Sequence, residues 1–174
     1  MAEEILRPNG GGVAAYSYWT ASAGDKWACV DEVTLDTADY VYRATTYSNE
    51  NFAYADTSAA SGQTINSVTV HAQCNAASGS QTIRLTVCSA AEQVQSGNLT
   101  VTTYYSDKAY VMATNPLTAA AWTSSEIDAL YFGMTTRAIT DQVNCAQHWI
   151  VVDYTAAGGV SIPVFMRSYR NRRT

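Results

Sequence analysis

Hydrophobic and polar residues alternate most strictly in two stretches of the chain, 63–74 and 81–88. A period of two is typical of a strand with one buried face, so each stretch predicts a β-strand. Setting Val70 opposite Leu85 aligns the two hydrophobic faces. The pattern therefore predicts a hairpin around the polar loop 75–80.

Shorter strands are predicted throughout the rest of the chain, and one segment is predicted as helix. Thr123–Glu126 reads as a capping box, the start signal of a short helix. In the last strand, His148 and Ile150 alternate with Trp149 and Val151. The remaining predicted strands cover 16–20, 26–32, 39–44, 51–54, 99–105, 109–113 and 130–136. This spacing favours an all-β fold, a jelly-roll-like antiparallel β-sandwich with one short helix and extended N- and C-terminal arms.

The predicted domain organisation has three parts. Residues 1–12 would form an N-terminal arm with a glycine-rich joint, because Pro8 precedes three consecutive glycines. Residues 13–156 would form the sandwich domain. Residues 157–174 would form a glycine joint followed by a basic C-terminal arm.

Composition supports the strand prediction and narrows the function classes. Apolar residues make up 47% of the 174 residues and charged residues only 14%, and Tyr (12) and Trp (4) are abundant. Few long-chain helix formers remain, and the low charge argues against intrinsic disorder. No apolar run has the eighteen or so residues of a membrane helix, and Met1–Glu4 lacks the basic and apolar regions of a signal peptide.

Charge is distributed unevenly along the chain. The last eight residues carry four arginines and no acid, whereas residues 1–166 carry six basic and fifteen acidic residues. An acidic body with a basic tail indicates that the tail binds an acidic surface, which includes the body of a neighbouring copy. Four arginines are too few to indicate nucleic-acid binding.

Both terminal arms carry the residues expected to bind a partner. Hydrophobic side chains beyond a glycine joint need a surface to cover them, and arginine forms bidentate pairs with carboxylates. We expect the hydrophobic residues to add to a sheet edge or groove of a neighbour. The expected partner-binding residues are Leu6 and Arg7 in the N-terminal arm and Ile162, Val164, Phe165, Arg167, Tyr169, Arg170, Arg172 and Arg173 in the C-terminal arm.

The four cysteines, Cys29, Cys74, Cys88 and Cys145, lack the spacing of a zinc site. The predicted hairpin would place Cys74 and Cys88 at opposite ends, too far apart for a disulfide. If disulfides form, Cys74 would pair with Cys29 or Cys145. Four buried, reduced cysteines are the alternative.

The sequence offers little that is typical of catalysis, and no cofactor is expected. His71 falls on a polar strand face and His148 on a hydrophobic one, which predicts an exposed and a buried, hydrogen-bonded histidine. The carboxylates Asp31, Glu32, Asp36 and Asp39 lie close together in sequence, but they lack the glycine and terminal glutamate of a calcium loop. We expect a solvated turn there, and neither a catalytic nor a metal site.

Exposed aromatic side chains would supply stacking platforms for carbohydrate, which is the alternative function. The same residue types are enriched in subunit interfaces, so composition does not separate the two functions. The candidates are Tyr16, Tyr18, Trp19, Tyr47, Tyr104 and Tyr105.

Several short segments resemble those of jelly-roll or β-sandwich virion structural proteins of tailed phages and related viruses. The similar segments are 6–10, 19–20, 31–33, 39–41, 121–123, 127–133 and 151–155. The resemblance implies a non-enzymatic component of a capsid or tail, a decoration protein for example. It also implies that the protein, made in the host cytoplasm, is located in the virion and binds copies of itself and neighbouring virion proteins.

Overall fold

The described residues form a β-sandwich of two antiparallel sheets with six strands each, and the sandwich architecture is as predicted. The computed structural model describes residues 2–59 and 63–155. The first sheet contains β1 (Ala2–Leu6), β3 (Thr20–Ala21), β4 (Val41–Arg43), β6 (Thr64–Ala76), β10 (Ser106–Met112) and β12 (Val143–Thr155). The second contains β2 (Pro8–Gly11), β5 (Asn49–Tyr54), β7 (Gln81–Cys88), β8 (Gln93–Gln95), β9 (Leu99–Val101) and β11 (Tyr131–Thr136).

The hydrophobic core lies between the two sheets and consists of alternate residues of their strands. In the first sheet, Val68, Val70 and Ile150 are fully buried, and in the second Leu85 and Phe132 are fully buried. The alternation read from the sequence therefore marks the inner faces correctly. These inner faces fix which residues of each strand point outward.

The one α-helix of the described residues, α1 (Ser124–Ala129), begins at the predicted capping box. The Thr123 side chain accepts a hydrogen bond from the Glu126 backbone, and the Glu126 carboxylate accepts one from the Thr123 backbone. Ile127 anchors the helix in the core. No helix in the described part of the chain is long and apolar enough to span a membrane.

The predicted hairpin between β6 and β7 is wrong, although both strands exist. β6 pairs with β10 and β12, whereas β7 pairs with β8, β9 and β11 in the other sheet. The loop at 77–80 carries the chain across the sandwich, so the two hydrophobic faces meet through the core instead of lying side by side. Alternation identifies a buried face, but it does not tell whether two such faces share a sheet.

The N-terminal segment expected to form an arm is instead part of the sandwich. β1 pairs with β12 along its whole length, from Ala2 opposite Tyr154 to Leu6 opposite Ile150. After Arg7 the chain enters the second sheet, where β2 pairs with β5. Residues 2–11 thus contribute one strand to each sheet. Leu6, at the end of β1, is buried in the core between them.

Residues 26–32, predicted as a strand, form turns beside β12, where the Val30 carbonyl accepts the His148 amide at 2.9 Å. The Cys29 and Val30 amides donate to the carbonyls of Lys26 and Trp27, three residues back. Cys29 and Val30 are fully buried. The hydrophobic residues in this segment reflect burial of a loop and not strand pairing.

Candidate interaction surfaces

The structure separates the expected partner-binding residues into two groups. Ile162, Val164, Phe165, Arg167, Tyr169, Arg170, Arg172 and Arg173 lie outside the described residues. Leu6 is 4% exposed and packs in the core of its own chain, so its expected role in partner binding is wrong. Arg7 is half-buried, and its guanidinium donates to the carbonyl of Glu32 at 2.5 Å.

Three hydrophobic side chains and one threonine form a row across the outer face of the first sheet. Ile5 of β1 lies opposite Val151 of β12, which lies opposite Thr69 of β6, which lies opposite Val111 of β10. Ile5 is 57% exposed and Val111 is 66% exposed. We call these four residues the apolar row. It runs across four neighbouring strands and ends at β10, the edge strand of the described sheet.

A ladder of charged and aromatic side chains runs beside the apolar row. The Arg7 guanidinium lies 5.4 Å from the centre of the Trp149 ring, and the His71 ring stacks on Trp149 at 4.8 Å with an interplanar angle of 5°. His71 Nδ1 is 2.9 Å from the Asp107 carboxylate of β10. Because β1 and β6 flank β12 on opposite sides, Arg7 and His71 cover opposite faces of the indole. Both contacts involve the faces of the Trp149 ring, which would otherwise be available for stacking on a sugar.

Carboxylates flank the apolar row on both sides. Glu3 lies opposite Asp153 next to one side of the row. Asp107 lies on the other side, near the free edge of the sheet, and its side chain is 44% exposed. A ligand that fits this face would be hydrophobic along its centre and positively charged beside it.

A second surface is formed by the loop that precedes β5. Tyr47 adopts a left-handed backbone conformation with a φ of 56°, which is uncommon for a residue with a side chain. The Tyr47 amide donates to the Thr136 carbonyl at 2.9 Å, and the Ser48 amide donates to Thr136 Oγ1 at 3.0 Å. The Thr136 hydroxyl in turn donates to the Thr45 carbonyl at 2.6 Å. These bonds hold the loop in one conformation and fix the position of the Tyr47 side chain.

This loop presents an aromatic ring together with arginine. The Arg137 guanidinium lies 4.5 Å from the centre of the Tyr47 ring, which is 69% exposed. Arg43 donates to the Tyr18 carbonyl at 2.5 Å and to Thr45 Oγ1 at 2.6 Å, so it ties a second exposed tyrosine to the same end of the sandwich. We call Tyr18, Arg43, Tyr47 and Arg137 the tyrosine–arginine patch.

The other aromatic candidates differ widely in exposure. Trp19 is 2% exposed, and its indole N–H donates to the Ser48 carbonyl, so its candidacy as a stacking platform is wrong. Tyr16 and Tyr105 are half-buried, and burial raises the pKa of Tyr105 to about 12. Tyr104 is highly exposed but lies away from the described arginine contacts.

The two histidines lie on opposite faces of the first sheet, as predicted. His148 is fully buried, and its Nδ1 shares a hydrogen bond with the Tyr54 hydroxyl. Burial lowers the pKa of His148 to about 3, so the ring is neutral in the folded protein at ordinary pH. His71 is on the outer face, but it is paired with Asp107 and is not simply solvated.

The carboxylates considered for calcium lie in the irregular segment that begins at the end of residues 26–32 and leads to β4. Burial, followed by the neighbouring charges of Asp31, Asp39 and Asp36, raises the pKa of Glu32. Asp36 accepts the Ala38 amide and Asp39 accepts the Ser22 hydroxyl. Within residues 2–59 and 63–155, no three His, Cys, Asp or Glu side chains converge as a metal site requires.

Sequence reasoning missed the residues that form the apolar row. Val111 and Val151 were assigned to strands, but the partner strand of each, and hence the row, depends on the sheet order. Arg43 and Arg137 were also missed because they are 94 positions apart in the sequence. Compared with known proteins, the chain matches no protein family, and no curated protein is significantly similar to it.

Proposed function

We propose that the protein is a non-enzymatic structural protein of a virion. In this proposal, copies are joined when residues 160–173 of one copy bind the apolar row and the β10 edge of the next. The observation that carries the proposal is the apolar row, since hydrophobic side chains grouped on an outer sheet face and exposed at both ends of the row are typical of an interaction site. The virion location rests on the sequence resemblance.

The C-terminal segment has the chemistry that this face would bind. Val160, Ile162 and Val164 alternate with other residues, and four arginines follow. The hydrophobic residues match the apolar row, and the arginines match the carboxylates of Glu3 and Asp107 beside it. The segment also contains a proline, which is tolerated in an added edge strand.

The segment is long enough to reach a neighbouring copy. β12 ends at Thr155, and 19 residues follow it. At about 3.3 Å per residue, an extended segment of that length spans roughly 60 Å. A domain of this size has a radius of gyration of roughly 15 Å, so the segment can extend beyond its own domain.

The receiving edge is suited to strand addition. β10 pairs with β6 alone among the described strands, and its seven residues leave one backbone edge unpaired. An added strand would satisfy that edge by main-chain hydrogen bonds and place one of its outward-facing side chains beside Val111.

Light scattering of purified protein at low and high salt tests the proposal. Full-length protein is expected to assemble and to loosen with salt, because arginine–carboxylate pairs at a surface are screened. Deleting residues 160–174, or the substitution Val111→Asp, is expected to give monomers with an unchanged urea midpoint. Val33→Asp is the matched control, since Val33 is 84% exposed but lies outside the apolar row. A monomeric full-length protein, or a Val111→Asp variant that assembles normally, would contradict the proposal.

A second candidate function, binding of carboxylate-bearing sugars, is favoured by the tyrosine–arginine patch. Tyr47 offers one ring face, and Arg137, stacked on the other, carries donors that suit a carboxylate. The loop is already fixed by its hydrogen bonds to Thr136, so little conformational entropy would be lost on binding.

An array of neutral and acidic glycans tests this second function. Tyr47→Asn removes the ring while supplying a residue that readily adopts a left-handed conformation, so binding should be lost and stability kept. Tyr104→Ala is the control, because Tyr104 is 81% exposed and should not affect binding. An array without acidic-glycan signal, or a Tyr47→Asn variant that binds normally, would reject this function.

A further inference from the structure

Cys74 and Cys145 lie directly opposite each other in the first sheet. Cys74 is on β6 and Cys145 on the antiparallel strand β12, and the two are paired in register. Both side chains point into the core and are fully buried. All four cysteines lie in the described residues and are free thiols.

The geometry of this pair is that of a cross-strand disulfide. Opposed residues in an antiparallel pair have Cα atoms about 4.5 or 5.5 Å apart, and both values fall in the range of disulfides. The Cys145 Sγ donates to the Gln147 carbonyl at 3.1 Å, beside a bulge at Ala146 where the strand bends.

The other two cysteines have no comparable neighbour. The Cys29 Sγ donates to the Ala23 carbonyl at 2.8 Å in the turns beside the sandwich. Cys88 lies in the second sheet, opposite Tyr131 and Gln93. A Cys74–Cys88 disulfide was excluded from the sequence because of a predicted hairpin that the structure does not contain. In the structure these two cysteines lie in different sheets and are not paired in register. Of the two partners considered for Cys74, the register favours Cys145.

We propose that Cys74 and Cys145 form a disulfide when the chain folds in the presence of a soluble disulfide such as oxidised glutathione. One cysteine thiolate attacks the soluble disulfide, releases one glutathione thiol and forms a mixed disulfide. The second cysteine thiolate then attacks the mixed disulfide and releases the other glutathione thiol. Two protein thiols are oxidised, and one soluble disulfide is reduced to two thiols.

The step takes place during folding, before the sandwich closes. In the folded protein both thiols are inaccessible, and burial and the adjacent Cys74 thiol raise the pKa of Cys145, so attacking thiolate is scarce. Protein that folds reduced would therefore stay reduced, and protein that folds oxidised would keep the disulfide. The redox conditions at folding would set the stability of the mature sandwich.

Refolding with a mixture of oxidised and reduced glutathione, followed by alkylation and non-reducing peptide mapping, tests the proposal. The expected result is one linked pair of peptides containing Cys74 and Cys145, with Cys29 and Cys88 alkylated. The disulfide closes a loop of about 70 residues, so the urea midpoint should rise by roughly 1–2 M and fall back with reductant. The Cys29→Ala/Cys88→Ala double variant should behave like wild type.

Two results would overturn the proposal. The first is folded protein, verified by circular dichroism, in which all four cysteines remain alkylatable or in which Cys29 or Cys88 forms the link. The second is rapid, complete oxidation of already folded, reduced protein, which would show that the step does not depend on folding. Cys145→Ala should abolish the linked peptide. Its circular dichroism is compared with that of wild-type protein refolded under reducing conditions, which is folded without the disulfide.

Discussion

The two sheets have similar inner faces but very different outer faces. On the first sheet, Ile5, Val151, Thr69 and Val111 form the apolar row, in which three of the four side chains are hydrophobic and the two at its ends are exposed. On the second sheet, the corresponding row of three neighbouring strands contains Asn49, Thr135 and Arg84, none of which is hydrophobic. Since the core needs only the inner faces, this difference reflects what each outer face contacts.

The chain itself covers the outer face of the second sheet. The Asn51 side chain accepts the Val13 amide at 2.8 Å and donates to the Tyr16 carbonyl at 3.3 Å, so the segment after β2 crosses this face. Arg84 donates to Asn98 and Gln95. These contacts satisfy the polar groups internally. Among residues 2–59 and 63–155, nothing comparable covers Ile5 and Val111 of the first sheet, and we therefore assign the interaction surface to it.

The largest expected effect comes from breaking the second sheet at Gly133, which lies between Asn51 and Thr86. A Cβ atom at Gly133 would lie 2.0 Å from the Glu50 carbonyl oxygen and 2.6 Å from the Asn51 Cα. Both atoms belong to the backbone, so relief requires the strands to shift. Gly133→Ala is expected to lower the free energy of unfolding by about 3 kcal/mol in urea denaturation.

Gly97→Ala is the matched control for this substitution. A Cβ at Gly97 has no heavy atom within 4 Å, so its effect should be within about 0.5 kcal/mol. If Gly133→Ala were as stable as Gly97→Ala, the close approach of β5 and β11 would not exist as described.

The sequence predicted the strands of this fold better than their arrangement. The alternation in 63–74 and 81–88 gave the strands and buried faces of β6 and β7, and the capping box gave α1. The pairing partners of β6 and β7 could not be predicted. The same two hydrophobic faces are compatible with neighbouring strands in one sheet and with strands in two facing sheets. The prediction of an N-terminal arm was wrong for a related reason. Pro8 and the glycines that follow it are compatible with a flexible joint and equally with the crossing of the chain from one sheet to the other.

The candidate surfaces were predicted only in part. The exposure of Tyr18 and Tyr47 agrees with the sequence prediction, but Trp19 is buried in the core, where its indole N–H is satisfied by the Ser48 carbonyl. The apolar row depends on four strands from distant parts of the chain. Its members could be recognised only after the order β1–β12–β6–β10 was known.

A smaller effect is expected in the pH dependence of stability, to which the two histidines on opposite faces of the first sheet contribute differently. The pKa of His148 falls to about 3 on burial, from an ordinary value of 6.5. The unfolded chain therefore binds a proton below pH 6.5 that the folded protein does not, and stability declines as the pH falls from 6.5 toward 3. Between pH 7 and 5 the loss should be about 2 kcal/mol in urea denaturation.

Substitutions at the two histidines isolate this contribution. His148→Gln should flatten the decline in stability between pH 7 and 5, even if it lowers stability at every pH. His71→Gln, on the outer face of the same sheet, should leave the decline in place. Equal slopes in wild type and His148→Gln would show that another group causes the pH dependence.

The smallest effects are expected from two opposite substitutions, one on the outer face of each sheet. Thr86 is fully buried on the second sheet, and its hydroxyl has no hydrogen-bond partner among the described residues. Thr86→Val keeps the shape and removes an unsatisfied group, so it should raise the free energy of unfolding by about 1 kcal/mol. Val151→Thr, in the apolar row, should leave stability nearly unchanged but weaken assembly. A Thr86→Val variant that is less stable than wild type would show that the Thr86 hydroxyl has a hydrogen-bond partner. A Val151→Thr variant that assembles as wild type does would show that the hydrophobic character of the apolar row does not matter for association.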